Sequence, residues 1–341
     1  MPLPMDVRVV ELPLRHAWTI ARGTSTSKRN VIVELRAGGQ VGRGEAAPNV
    51  RYGESAETVV DALQRLAPAL EGDPWHFRVL SERVDAALPG HHAAKAALDI
   101  ALYDLAGKRL GVPLYRMMGL DPSRMPLTSF SIGMDSPQAL ERKVLEAEPH
   151  PVLKVKLGAR DVRETFGAVR AATSKPLRVD GNEAWRPEEA LRHIEWLAGQ
   201  GVELVEQPLP AADVEGAKWL RERSPLPLVA DEAVLMAADV PRLVEGYHGI
   251  NVKLQKCGGI REALRLIETA RSCGLKVMLG CMVETSVGIA AAAHLGPLAD
   301  WLDLDGNLLI AEDPFVGHPV VRGYIQLGDG PGLGVEPSPR P

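Results

Sequence analysis

Three cysteines in 341 residues, none in a CxxC arrangement, are too few and too scattered for a disulfide framework or a zinc site. Cys257, Cys273 and Cys281 are expected as reduced core thiols. No run of 18 apolar residues occurs, which argues against a membrane-spanning helix. No dense Lys/Arg tract occurs either, and the net charge is -5, which sets nucleic acid aside as the main partner and favours a small hydrophilic ligand. The opening Met1-Pro-Leu-Pro-Met-Asp-Val-Arg lacks the basic start and apolar stretch that export requires, so a cytoplasmic protein is expected. What is present is a 45% hydrophobic chain, long enough for one α/β barrel of about 250 residues and a smaller domain.

The composition changes character near residue 120. Before it, Val9-Val-Glu-Leu-Pro-Leu, Asn30-Val-Ile-Val-Glu-Leu-Arg and Val41-Gly-Arg-Gly-Glu-Ala mix apolar and polar residues as antiparallel strands do, with Ala37-Gly-Gly-Gln as a hairpin turn. Helical periodicity follows over about 55–71, 75–87 and 91–109. In the last of these, Ala94, Ala97, Leu98, Ala101, Leu102 and Leu105 form a small-residue face suited to close packing, and Gly111-Val-Pro stops the helix. From about 125 a strand, loop, helix pattern repeats, with strands expected at 127–132, 152–157, 177–180, 204–206, 228–231, 250–253, 276–279 and 301–305. Eight strands suffice to close a barrel. After Asp313-Pro-Phe the chain is Gly/Pro-rich and shows no eighth full helix. The fold class is therefore read as α/β: a modified TIM barrel of (β/α)7β form over 123–313, an N-terminal α+β capping domain over 1–122, and a segment over 314–341 that returns to complete the cap.

Polar residues close the apolar runs at nearly constant intervals. Lys156, Asp180, Glu206, Asp231 and Lys253 are 24, 26, 25 and 22 residues apart, and Asp303 and Asp305 follow about two steps later. Each step is the length of one strand, one helix and two loops. In a parallel barrel these residues would stand at the C-terminal face, where catalytic groups lie. Asp180, Glu206 and Asp231 come from three consecutive strands, and an all-oxygen triad with room for water suits Mg²⁺ better than zinc. Lys156 and Lys253 flank that triad, which implies action on both faces of one carbon. One uncompensated positive unit at about 6 Å and an effective dielectric near 20 costs an ammonium roughly 2.8 kcal/mol, about 2 pK units, enough to make it a working base. Lys154, two residues before Lys156 on the same face, is expected to neutralise a metal carboxylate.

Lys154-Val-Lys156, Asp180-Gly-Asn182, Val205-Glu206-Gln-Pro208, Ala230-Asp231-Glu232 and Val252-Lys253-Leu-Gln-Lys256-Cys-Gly-Gly259 resemble the motifs of the enolase superfamily, muconate-lactonizing-enzyme subgroup. Ala96-Ala-Leu-Asp-Ile-Ala-Leu-Tyr-Asp-Leu-Ala-Gly-Lys108 matches that group's capping-domain helix, so the resemblance spans nearly the whole chain. It implies one Mg²⁺ per subunit on Asp180, Glu206 and Asp231, supported by Asn182 and Glu232. It also implies proton removal next to a substrate carboxylate and an enediolate intermediate. The chain departs from the commonest pattern at Ala233, where Ser frequently follows Asp-Glu.

Epimerisation, cycloisomerisation and elimination all fit that machinery. Asp303-Leu-Asp305 favours the first, because dipeptide epimerases of the group carry such a pair to bind the substrate's α-ammonium. The loops Thr19-Ile-Ala-Arg22-Gly-Thr and Pro48-Asn-Val-Arg51-Tyr52-Gly-Glu-Ser resemble those of L-Ala-D/L-Glu epimerases, with Arg22 placed to pair with a second substrate carboxylate, a role Lys28 or Arg29 could share. Arg51 and Tyr52 are expected as further substrate contacts, and Glu284 and Ser286 as pocket lining near the peptide group. The expected function is a two-base 1,1-proton transfer on L-Ala-D/L-Glu in murein-peptide recycling, by a homo-oligomer. Its rivals are a muconate-type cycloisomerase, an N-acylamino acid racemase, o-succinylbenzoate synthase, and a barrel that only binds metal or peptide.

Overall fold

The structure, a computed structural model, describes residues 2–21 and 23–339. An antiparallel sheet comes first, made of β1 (Met5–Ile20), β2 (Gly23–Ala37) and β3 (Gln40–Ala46). Gly38 and Gly39, with φ of 57° and 77°, supply the positive dihedrals of the two-residue turn between β2 and β3. Pairing of β1 with β2 is interrupted after Pro13, opposite Ser27, and resumes at Trp18, opposite Ser25. Residues 14–17 thus bulge from the sheet, after a proline that has no N–H to donate.

Three helices follow: α1 (Ala56–Leu66), capped by Ser55, α2 (Phe77–Ala87) and α3 (His92–Leu110). The small-residue face of α3 lies against β3 at backbone contact. A Cβ on Gly44 would overlap the Ala97 carbonyl, and one on Gly42 the Ala101 carbonyl. Around this seam Val31, Val33, Leu35, Leu63, Leu66 and Leu98 form a core of their own.

After α4 (Leu114–Met117) the barrel begins. Its elements are β4 (Phe130–Ile132), α5 (Pro137–Glu146), β5 (Leu153–Lys156), α6 (Val162–Ala172), β6 (Leu177–Asp180), α7 (Pro187–Ala198), β7 (Val202–Glu206) and α8 (Val214–Arg221). There follow β8 (Leu228–Ala230), α9 (Val240–Leu243), β9 (Gly249–Val252), α10 (Leu254–Cys257), α11 (Ile260–Ser272), β10 (Lys276–Gly280), α12 (Ser286–Ala293) and β11 (Trp301–Asp303). Each barrel strand pairs in parallel with the next in chain order. A bridge between Thr128 and Leu302, with the Ser129 N–H donating to the Leu302 carbonyl at 3.0 Å, brings the last strand back to the first. The expected eight-stranded ring is the observed one. Residues 306–308 form a single 3₁₀ turn where an eighth helix would start.

The tail crosses to the first half. Gly332 N–H donates to Val112 O (2.9 Å), Leu114 N–H to Gly332 O (3.0 Å), and Leu333 N–H to Asp104 Oδ1 (2.7 Å). His294 anchors this crossing from the barrel side. It is fully buried, its Nδ1 accepts from Tyr115 N–H at 3.2 Å, and its Nε2 faces the Leu333 carbonyl at 3.2 Å. Both contacts are satisfied by the neutral ring alone, and burial, with His318 nearby, pushes its pKa down to about 3. An unfolded histidine titrates near 6.5, so the unfolded chain holds more protons between these values. The stability this ring contributes is whole above about 6.5 and is lost as pH falls toward 3, at a slope of up to roughly 1.4 kcal/mol per pH unit. Urea midpoints taken between pH 7 and 5 are expected to fall less steeply in His294→Leu than in the unsubstituted chain.

Candidate active site

Parallel register sets the charged residues in rows. Lys156 lies opposite Asp180, and Asp180 opposite Glu206, across β5, β6 and β7. Asp231 and Lys253 come directly after β8 and β9, and Asp303 pairs with Gly280 at the end of β11. One oxygen from each of Asp180, Glu206 and Asp231 lies within 4.8 Å of the others, and all three residues are buried. Lysines occupy both ends of this row. Lys156 Nζ is 2.7 Å from Asp180 Oδ2, and Lys253 Nζ is 2.7 Å from Asp231 Oδ2.

Lys154 fills the space beneath. Its Nζ contacts Glu206 Oε2, lies 2.5 Å from Asp303 Oδ2 and 3.7 Å from Asp180 Oδ2, and is fully buried. Burial acts to strip its proton, but Asp303, Glu206 and Asp180 outweigh that and hold it well above the ordinary lysine value. Lys253 is raised in the same way, burial being outweighed by Asp231 and Glu206. The nearest charges to Lys253 are negative, so a lysine lowered toward neutrality needs a cation among those carboxylates.

The donor set fits a divalent cation. Six carboxylates (Asp180, Glu206, Asp231, Glu232, Asp303, Asp305) stand among four lysines (Lys154, Lys156, Lys253, Lys256), so releasing a lysine proton would deepen a negative excess. Burial, then Asp180 and Asp231, already push Glu206 up to about 7, a carboxyl close to neutralising itself. Three carboxylate oxygens and no nitrogen or sulfur are the ligands Mg²⁺ takes.

Several positioning groups carry no signal in spacing. Lys256 Nζ contacts Asp231 Oδ1 at 2.6 Å and also donates to the Val234 and Asn251 carbonyls, each at 3.2 Å. Asn251 Nδ2 donates to Glu206 Oε1 at 2.8 Å. Gln207 Oε1 accepts from the N–H groups of Asp231 (2.8 Å) and Ala233 (3.1 Å), tying the ends of β7 and β8 together. The hydroxyl of Ser129 donates to Asp303 Oδ1 (2.8 Å), and the N–H of Ser131 donates to Asp305 Oδ2 (2.6 Å). Ser129 and Ser131 alternate on one face of the first strand as Lys154 and Lys156 do on the next, a cue the sequence offered.

A cavity of about 640 Å³ opens over this row. Lys156, Asn182, Asp231, Glu232, Lys253, Asp303 and Asp305 line its floor, and Trp18, Lys28, Arg51 and Tyr52 line its roof. Arg22 lies outside the described residues. Arg51 reaches the wall, but its guanidinium is held in a two-point pair by Glu183 at 2.9 and 3.0 Å, so it latches the cap loop to the barrel. Glu284 and Ser286, expected as pocket lining, are absent from the wall. Glu284 turns back to accept from Met282 N–H (2.7 Å) and Gln255 Nε2 (3.0 Å), and burial, then Glu45, push it up to about 8. The Ser286 hydroxyl donates to Asp313 (2.7 Å). Both sit where α12 starts, and a helix start consumes polar side chains. Cys257, Cys273 and Cys281 are free thiols, and Cys281 is a wall residue where a core position was expected.

Two family models match: the mandelate racemase / muconate lactonizing enzyme N-terminal domain over residues 5–119, and the enolase C-terminal domain-like family over 138–340. The L-Ala-D/L-Glu epimerase of Bacteroides thetaiotaomicron is 42% identical over 95% of this chain and 85% of its own length. The L-Ala-D/L-amino acid epimerase of Pedosphaera parvula is 43% identical over 94% and 95%. The dipeptide epimerase of Enterococcus faecalis, solved with Mg and L-Leu-L-Tyr, is 34% identical and superposes with a TM-score of 0.92 over 98% of this chain and 99% of that one.

Titration calorimetry with MgCl₂ is expected to give one site per chain. Asn251→Ala, which removes the donor to Glu206 Oε1, is expected to weaken Mg²⁺ binding about tenfold. Unchanged affinity would place the ion elsewhere.

Proposed function

The chain belongs to the mandelate racemase / muconate lactonizing enzyme family of the enolase superfamily, and from that membership we propose that it is a Mg²⁺-dependent dipeptide epimerase of the L-Ala-D/L-Glu type. The observation that carries the reading is the placement of Lys156 and Lys253 at opposite ends of the carboxylate row, with Asp303 and Asp305 at the same barrel mouth. Asp180, Glu206 and Asp231 would hold Mg²⁺, which when bound offsets the negative charge that builds on the substrate carboxylate as the α-proton leaves.

The lysines do the proton work. One, neutral, takes the α-proton of the second residue from one face. The other, as an ammonium, returns a proton to the opposite face, so one C–H bond breaks, one forms, and the lysines exchange protonation states. Asp303 and Asp305 receive the α-ammonium. The buried Lys154 and Ser129 fix the orientation of Asp303, and Ser131 that of Asp305. A cycloisomerase, an N-acylamino acid racemase or o-succinylbenzoate synthase has no free ammonium for that pair, and a binding-only barrel has no need of opposed bases.

Lys28 favours an acidic second residue. It lies on the same face of β2 as Asn30, whose side chain donates to the Val283 carbonyl of the barrel, and it reaches the cavity roof half-buried. Arg29 is spent on Glu57 and Arg51 on Glu183, while Lys28 has no carboxylate partner among the described residues. The setting this proposal assigns is cytoplasmic murein-peptide turnover by a homo-oligomer. No described helix is long and apolar enough to cross a membrane.

In D₂O with Mg²⁺, L-Ala-L-Glu is expected to gain deuterium at the glutamyl α-carbon and invert. Lys156→Ala and Lys253→Ala are each expected to lower epimerisation roughly 10²–10⁴-fold, one of them still exchanging the α-proton of a single epimer. Full epimerisation by either variant would defeat the two-base scheme, and turnover of muconate with no exchange in any L-Ala-L-Xaa would defeat the substrate assignment. Lys28→Met is expected to raise KM about tenfold for L-Ala-L-Glu and leave L-Ala-L-Leu unchanged. Equal change on both would remove Lys28 from recognition.

A further inference from the structure

We propose that Trp18 is a gate that sets the size of the substrate's first residue by closing off a second cavity behind the ammonium end of the active site. This rests on the dipeptide reading above. A cavity of about 340 Å³ adjoins the active-site pocket of about 640 Å³, and three residues line both: Trp18, Ser131 and Leu309. The second cavity is walled by Ile132, Leu308 and Phe130, whose ring stacks on His150 at 4.4 Å. Two of its rim charges are paired within the protein, and a third donates to a backbone carbonyl. His16 Nε2 lies 2.6 Å from Glu146, Lys143 lies 3.0 Å from Asp135, and Arg15 Nε donates to the Leu308 carbonyl at 3.1 Å. The space left over suits an uncharged, apolar side chain.

The fold places the indole at the boundary. The bulge over residues 14–17 rims the second cavity and delivers Trp18 back to its pairing opposite Ser25. The next residue pins it, since Thr19 O accepts from Met134 N–H at 2.9 Å, just beyond β4. Gly133 completes the seat. A Cβ there would meet Trp18 ring carbons at 3.2 and 3.4 Å, so the indole rests against bare backbone.

Chemistry then fixes what faces the gate. Ser131 N–H donates to Asp305 Oδ2 at 2.6 Å, and the Ser131 hydroxyl lies 3.5 Å from Asp303 Oδ1. In a dipeptide the first side chain branches from the carbon that bears the ammonium. With that ammonium on Asp303 and Asp305, the side chain emerges beside Ser131, toward Trp18 and Leu309. A methyl group stops there. A larger group needs the indole removed, and the cavity behind it can then take the group in.

The test compares kcat/KM for L-Phe-L-Glu and L-Ala-L-Glu in the wild-type chain, Trp18→Phe, Trp18→Ala, and Trp18→Ala with His150→Trp. In the wild type L-Phe-L-Glu is expected to be worse by roughly tenfold or more. The Phe-to-Ala ratio is expected to rise by roughly tenfold in Trp18→Ala, by less in Trp18→Phe, and to fall again when His150→Trp refills the cavity. Trp18→Phe keeps the test decisive if the alanine variant folds poorly. A wild-type chain that accepts both dipeptides equally, or a ratio that no substitution moves, overturns the gate and leaves the epimerase reading standing. Failure of the wild type on every dipeptide overturns that reading and the gate with it.

Discussion

Charge compensation inside the barrel mouth is the constraint on which the rest of the molecule depends. Lys154 carries a proton with no access to solvent, and an isolated ammonium in that position would give it up. It stays charged because β6, β7 and β11 each deliver a carboxylate to it. That delivery depends on register. A one-residue slip of β5 would turn Lys154 and Lys156 out of the mouth together and leave buried acids without counter-ions. The strands are three to five residues long, so their hydrogen bonds alone constrain register weakly, and the charge row works with the apolar layer behind it to hold it.

The two halves of the chain are joined by the same principle. Glu45 of β3 is wholly buried, and burial pushes its pKa up from the ordinary carboxylate value. Donors counter that: the Thr285 N–H (2.9 Å) and hydroxyl (2.6 Å) and the Gly288 N–H (2.9 Å), all at the start of α12, and Asn30 Nδ2 (2.7 Å). A carboxylate at a helix start meets unpaired N–H groups and the positive end of the helix dipole. Asn30 also donates to Val283 O at 2.9 Å, so one side chain spans β2, β3 and a barrel loop. The cap is therefore seated by polar groups that cannot slide, which holds Trp18, Lys28 and Tyr52 over the barrel mouth.

Much of this is legible in the amino-acid sequence alone. The eight strands were readable because every unit repeats one task, a buried apolar run that ends at a loop, and repetition exposes the period even where single strands are short. The metal-type triad and both lysines were readable because strand-end position is a local property. The partners of side chains were not. The tie of Arg51 to Glu183, 132 residues away, left no signal in the sequence. Glu284 and Ser286 looked like pocket lining because they follow a strand, yet the helix start that follows at once takes up their polar atoms. Lys256 lay inside a recognised motif without a role, since its acceptors come from two separate segments, Asp231 and Val234 after β8 and Asn251 on β9.

By itself the sequence determined the order of the elements, the closure of a parallel ring and the set of charged residues at its C-terminal face. All of these follow from periodicity and chain spacing. Tertiary structure alone decided which carboxylate each lysine meets, that Asp303 is already bound to Lys154, and that a second cavity lies behind Trp18. The physical reason is the range of the forces concerned. Strand and helix formation depend on neighbours in the chain, whereas ion pairing and cavity shape depend on atoms brought together from distant segments.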